Sequence, residues 1–263
     1  MINIDYIIFM KIDKIGIIFV FLCIFFAACS SLEPRPEKPF AFTAIAPKKE
    51  PGGRYAYLTF DDGPSPNTYR ILNVLADYGI RGTFFFIGNE ILEYENSAML
   101  LRRMLAEGHY IGLHSMTHDF WHLYRAANAY QNFYNEMREV QKLIYDLTGG
   151  FRTNLYRPPF GTAGTFTASH ISKMAESDLK CWDWNIDTRD WRLTSVDAIL
   201  EKVKKDMRRE NNPRIVVILF HELDITVEAL PVVIEYFLEL GYTFVPYHPD
   251  NHFPLNLLRN PYL

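Results

Sequence analysis

Tyr55-Ala56-Tyr57-Leu58-Thr59-Phe60-Asp61-Asp62-Gly63-Pro64 is the stretch on which the reading of this chain turns. The run from Tyr55 to Leu58 is apolar and aromatic, as a buried strand requires. It leads straight into two adjacent carboxylates and a Gly-Pro turn. Desolvated carboxylates at the end of a buried strand must find a cation or neutralise. Asp-Asp-Gly-Pro is also a good surface turn, so the stretch alone decides little. A second stretch changes the balance: His114-Ser115-Met116-Thr117-His118 again follows an apolar, strand-like run at 110–113. One carboxylate and two histidines form a ligand set for a divalent metal with open coordination positions. His114 and His118 with one carboxylate of the Asp61-Asp62 pair are the candidate ligands, and the other carboxylate is left beside the metal, where a hydrolase needs a base. Imidazole with carboxylate suits Zn²⁺, with Co²⁺ or Ni²⁺ tolerated. The histidine motif is not His-Glu-x-x-His, so a zinc-protease base is missing from it and must come from elsewhere.

Outward from these stretches the chain alternates strand and helix signals. Strand-like runs fall at 55–60, 83–87, 110–113, 155–156, 180–186, 214–220 and 243–245. Helix candidates fall at 68–78, 97–107, 129–147, 169–177, 195–210 and 230–240. Gly79, Gly108, Gly149 and Gly241 lie just past helix ends, where a left-handed residue is wanted. Ser195-Val196-Asp197 opens its helix with a capping hydroxyl and an early acid. Such alternation predicts an α/β fold with parallel strands and outer helices. The motifs all follow strands, so they gather at the carboxyl ends, where such folds place their sites. No internal repeat is evident.

At 263 residues, 49% apolar and 22% charged, the chain suits one α/β domain with a full core and a short appendage. A net charge of −4 and a pI of about 6.1 provide no basic surface for nucleic acid. Lys11 and Lys14 precede an almost continuous apolar run at 15–28. That run is short of the ~20 residues of a membrane span and suits a signal-peptide core. It ends in Phe26-Ala27-Ala28-Cys29-Ser30-Ser31, which resembles a bacterial lipoprotein processing site with Cys29 as the lipidated residue. A plain secretory signal is the alternative; Phe26, Asp13 and the apolar patch at 6–10 are atypical, and Met10 is an alternative start to Met1. The expected layout is a signal peptide at 1–29, a Pro-rich tether at 30–53 and the domain at 54–263. Cys23 and Cys29 belong to the leader, leaving Cys181 as a small buried hydrophobe without a disulfide partner.

The two opening stretches also resemble the polysaccharide deacetylases, carbohydrate esterase family four. Three further stretches extend the resemblance in the family's order: Arg157-Pro158-Pro159-Phe160-Gly161, Asp187-Thr188-Arg189-Asp190-Trp191 and Val217-Ile218-Leu219-Phe220-His221. It covers roughly residues 54–247 and implies a distorted, incomplete (β/α) barrel. It implies Asp62, His114 and His118 as the metal ligands and assigns Asp61 as general base toward the attacking water, with Arg157 holding that carboxylate ionised and aimed. His221 is implied as the acid that protonates the leaving amine. A neighbouring carboxylate should raise its pKa, with Asp190 the first choice and Asp187 the second. Phe160 stands where relatives often carry tyrosine, and its backbone N–H is the implied oxyanion donor. Leu219 and Trp191 resemble walls of a small acyl pocket. Glu222 departs from the aspartate that many relatives carry after the histidine.

The expected activity is metal-dependent removal of N-acetyl groups from an extracellular glycan, with peptidoglycan N-acetylglucosamine first. Chitooligosaccharide and acetylxylan are the alternatives within the family. Outside it, the alternative is an envelope lipoprotein that binds glycan without turnover. Expected partners are the glycan and, through a lipid on Cys29, the membrane; the chain is expected to be an exported monomer in the cell envelope.

Overall fold

A computed structural model describes residue 50 and residues 52–263. The expected leader, Cys29 and most of the tether lie outside the described residues.

The strand that carries the two aspartates is the spine of the fold. β1, Arg54–Gly63, is buried along almost its whole length, and its near-continuous apolar sequence follows from cover on both faces. β7, Ile215–His221, runs parallel beside it, pairing Tyr55 with Ile215 and Asp61 with His221. On the other side, β2 (Thr83–Phe86) pairs with the end of β1, and β8 (Tyr242–Phe244) pairs with its start. β3 (Tyr110–Leu113), β4 (Leu155–Tyr156) and β5 (Lys180–Cys181) continue from β2, while β6 (Ile186–Asp187) borders β7. Every pairing is parallel, and the order is β5-β4-β3-β2-β1-β7-β6. The sheet curls into a distorted, incomplete (β/α) barrel.

The gap explains the word incomplete. The sequence pattern predicts one strand over 180–186, but the chain leaves β5 at Cys181 and enters β6 at Ile186, on the opposite border of the sheet. Trp182 is fully buried across this opening and bridges to Leu255 of the C-terminal segment.

The helices are α1 (Thr68–Asp77), α2 (Gly88–Glu93), α3 (Ser97–Ala106), α4 (Phe120–Tyr124), α5 (Ala129–Thr148), α6 (Ala168–Ala175), α7 (Val196–Arg209) and α8 (Asp224–Glu239). Gly79, Gly108, Gly149 and Gly241 all have positive φ where the helices stop. The short α2 and α4 escape a periodicity reading because they lack the length to display one. α8 starts before the expected 230 and runs through Pro231. An interior proline costs about 3 kcal/mol, and buried Thr226, Ala229, Leu230, Val233, Ile234 and Phe237 offset it by covering the sheet. Inside the sheet, Phe60 stacks on Phe84 and Phe220 with ring centroids 4.8 and 5.8 Å apart. Among the described residues, no helix is long and apolar enough to cross a membrane.

Candidate active site

Two adjacent aspartates on a regular strand would point to opposite faces. Here the register between β1 and β2 slips between Asp61 and Gly63, and Asp62 adopts φ 70°. The irregularity re-aims Asp62, so both carboxylates reach the same end of the barrel. Gly63 is required beside it, since a Cβ there would stand 2.5 Å from the Glu222 carboxyl group.

His114 and His118 follow β3 on a loop strained in the same sense, with Ser115 at φ 66° and His118 at φ 55°. That loop is tied at both ends of its backbone. Gly88 and Asn89, at the start of α2, donate to the carbonyls of Ser115 and Met116 at 2.9 Å each. From α5, the buried Glu136 accepts from the N–H groups of Met116 and Thr117 at 2.9 and 3.0 Å, and from the Thr117 hydroxyl. Sequence reasoning missed Glu136, because its partners lie on another element and no local pattern marks it.

The result is a convergent donor set: one ligand atom each from Asp62, His114 and His118, all within 4.8 Å of one another. His114 Nε2 is 3.2 Å and His118 Nε2 3.4 Å from Asp62 Oδ1, yet this buried oxygen receives no hydrogen bond. His114 Nδ1 lies 2.8 Å from the carbonyl of Arg157. A carbonyl only accepts, so Nδ1 carries the proton and Nε2 presents its lone pair to Asp62. Burial opposes charge on His114, yet Asp61 and then Asp62 raise its proton affinity above the ordinary value. Burial, then His114, lowers that of His118. Burial also opposes charge on Asp62, but His114, His118 and His221 hold it well below the carboxylate range. An orphaned carboxylate oxygen facing the Nε2 atoms of two imidazoles fits a divalent cation, which satisfies all three at once.

Asp61 lies on one flank. Its Oδ1 accepts from Arg157 Nη1 at 2.8 Å, and its Oδ2 is 3.8 Å from His114 Nε2. Arg157 is fully buried and also donates to Thr59 Oγ1, the Trp182 carbonyl and the Asp183 carbonyl, over the ring of Phe85. Nothing about the guanidinium is left to wander. Asp183, also missed from sequence, accepts from Thr162 Oγ1 at 2.5 Å and Leu257 N at 2.8 Å, and so fastens the loop after Arg157. Burial raises its carboxyl pKa. On that loop Phe160 takes φ 65°, is 51% exposed, and its ring centroid lies 4.5 Å from that of His118, the planes tilted by 58°. Its N–H has no protein acceptor among the described residues.

His221 lies on the other flank, at the end of β7. Asp190 Oδ1 is 2.8 Å from His221 Nδ1, and Asp190 Oδ2 accepts from the His221 N–H and from Thr226 Oγ1, both at 2.6 Å. Burial disfavours the imidazolium, but the hydrogen bond and charge of Asp190, aided by Asp61 and Asp62, raise His221 to about 9. Asp187, the second choice from sequence, is directed elsewhere: it accepts from Arg189 N at 2.9 Å and receives no contact from His221. Leu219 shares the inward face with His221 but is only 3% exposed, whereas Trp191 is 56% exposed at the rim. Glu222 is buried beneath Asp62, accepting from Ser65 and Thr68. Burial raises it to about 7.

The family model described as polysaccharide deacetylase matches residues 48–181, half of the chain. The chain belongs to the polysaccharide deacetylase family. Its enzyme class is that of a polysaccharide N-deacetylase, a hydrolase. It is 38% identical over 206 residues to a peptidoglycan-N-acetylglucosamine deacetylase of Bacillus cereus, covering 77% of this chain and 72% of that relative. The crystal structure of a polysaccharide deacetylase from Bacillus cereus superposes with TM-score 0.71 at 37% identity, covering 80% of this chain and 100% of the other. A family 4 acetyl xylan esterase from Clostridium thermocellum, solved in complex with a cobalt ion, aligns with TM-score 0.60 at 25% identity, covering 73% and 88%.

The tie to α5 gives a direct expectation. Glu136→Gln should weaken divalent-metal affinity about 10–100-fold, the usual effect of loosening a ligand's support, with circular dichroism unchanged. Competition against a chelator reads this; unchanged affinity would show that the loop keeps its shape without Glu136.

Proposed function

We propose that this chain is a metal-dependent hydrolase removing N-acetyl groups from N-acetylglucosamine in an extracellular glycan, peptidoglycan first. The observation that carries the reading is the placement of Asp61–Arg157 and His221–Asp190 on two flanks of the Asp62, His114 and His118 donors. Those three would hold Zn²⁺, with Co²⁺ or Ni²⁺ accommodated, and the ion would supply Lewis-acid polarisation of the acetyl carbonyl and a lowered pKa for the attacking water. Asp61, aimed by Arg157, takes a proton from that water. The Phe160 N–H donates to the oxygen where negative charge develops. His221 delivers its proton to the leaving amine nitrogen. Trp191 presents an exposed face to the sugar, and Leu219 closes the floor near the acetyl methyl.

Export rests on the apolar run at 15–28, and lipid anchoring on the small residues before Cys29. The layout 1–29, 30–53 and 54–263 then places a monomeric domain on a tether at the envelope. Acetate release from peptidoglycan, N-acetylglucosamine oligomers and acetylxylan, in the presence of Zn²⁺ or Co²⁺, tests the reading. Peptidoglycan should release most per unit time. Release from acetylxylan alone would move the substrate to an O-acetyl ester, and binding without any release would favour the non-catalytic alternative.

The Asp190–His221 contact sets the pH profile. An acid must be protonated, so the rate falls as pH rises through the His221 pKa. A divalent cation beside Asp62 offsets the contributions of Asp61 and Asp62, while the Asp190 contribution remains. Asp190→Asn removes that contribution, and the basic limb should move to lower pH with the acidic limb unmoved. Asp187→Asn should leave the basic limb in place. If Asp187→Asn moves it and Asp190→Asn does not, His221 is not held as described.

A further inference from the structure

Tyr110 opens β3, Leu155 opens β4 and Lys180 opens β5, and all three line a cleft of about 610 Å³. It therefore lies at the amino ends of the strands, while the aspartates and histidines described above lie at the carboxyl ends. The whole chain carries a net charge of −4. In this cleft the balance is reversed: Arg138, Lys142, Arg152 and Lys180 face a single lining acid, Asp178.

Internal pairs use part of that charge. Arg138 pairs with Asp178, which also accepts from Asn154 at 3.0 Å, and Gln141 joins Arg138 to Asn154 at 2.8 and 2.9 Å. This connected wall is built from one face of α5 and the segments before β4 and β5. Lys142 pairs with Asp146. Arg152 and Lys180 are exposed and have no carboxylate partner among the described residues. Arg152 lies 4.6 Å over the ring of Tyr145, which fixes its position beside an aromatic face. Tyr247 forms the other side, with its hydroxyl 3.2 Å from His252 Nδ1. Burial, then the charge of Lys180, lowers His252 to about 4, so the ring is a neutral polar edge rather than a further cation.

We propose that this cleft is a second ligand site, for a sugar that carries a carboxylate. The Arg152 guanidinium and the Lys180 ammonium supply charge-assisted donors for the carboxylate. Tyr145, 37% exposed, supplies apolar cover for the sugar ring over the buried Tyr110 and Tyr247, in the mixture of aromatic wall and few polar groups typical of small-molecule sites. A bare anion would leave the exposed Tyr145 ring unused, and a neutral sugar would leave the two cations unpaired.

The site is remote from the metal donors, so binding there is measured independently of the reaction. Amide NMR signals of residues 138–154 and 247–252 report a titration with N-acetylmuramic acid, N-acetylglucosamine and acetate. The acidic sugar should shift these signals at least about tenfold more tightly than either of the others. The Arg152→Ala, Lys180→Ala double variant should weaken that binding about tenfold or more, since two exposed charge contacts are removed. Both residues are exposed, so circular dichroism should match the wild type, and acetate release from neutral N-acetylglucosamine oligomers should be unchanged. Absence of shifts with the acidic sugar, or binding indifferent to the double variant, overturns the proposal. Equal affinity for acetate would reduce the cleft to a bare-anion site, and equal affinity for N-acetylglucosamine to a neutral-sugar site; either result also overturns it.

Discussion

Asp61→Asn should cut acetate release by roughly 10²–10⁴-fold, the usual contribution of a positioned general base, while bound metal stays stoichiometric. The separation is possible because the two neighbouring aspartates have different surroundings. Asp62 faces the imidazoles, whereas Asp61 faces Arg157 at 2.8 Å. An asparagine oxygen still accepts from Arg157 Nη1, and the guanidinium keeps Thr59 and the carbonyls of Trp182 and Asp183. The fold therefore survives. Asp61→Ala is the harsher change, since removing one partner of a buried pair typically costs 3–5 kcal/mol. Metal analysis beside acetate assays decides the matter: if Asp61→Asn retains wild-type turnover, the base is another group.

His114→Ala should remove metal and activity together. With two donors left from a set of three, coordination is too weak to survive dialysis. His118→Ala should do the same with less structural damage, because His118 is partly exposed, whereas His114 is buried and bonded to the Arg157 carbonyl. Elemental analysis after dialysis reads the first effect and acetate release the second. Stoichiometric metal in both variants would mean that the ion is held elsewhere.

Much of this arrangement was legible before any coordinates, for a physical reason. Parallel strands buried on both faces are continuous apolar runs, so β1, β3 and β7 stand out, and the first ionisable residue after each run marks the carboxyl end. Asp61, His114 and His221 are such residues. Helix ends at Gly79, Gly108, Gly149 and Gly241 were equally plain, since each requires a left-handed backbone. The break at 182–185 was hidden because Trp182 and Trp184 look like strand residues, yet they cross the barrel opening. The bulge that turns Asp62 beside Asp61 also left no local signal. Glu136, Asp183 and Thr226 were invisible for a different reason. Each acts through a partner at least nineteen residues away, and such pairing exists only after folding.

The most direct measurement is acetate released from N-acetylglucosamine oligomers by the purified protein before chelation, after chelation, and after Zn²⁺ is restored, with metal content determined at each stage. The account predicts release from the metal-loaded protein, loss when elemental analysis finds no metal, and recovery on adding Zn²⁺ or Co²⁺. Full release from a sample shown to be metal-free would contradict it.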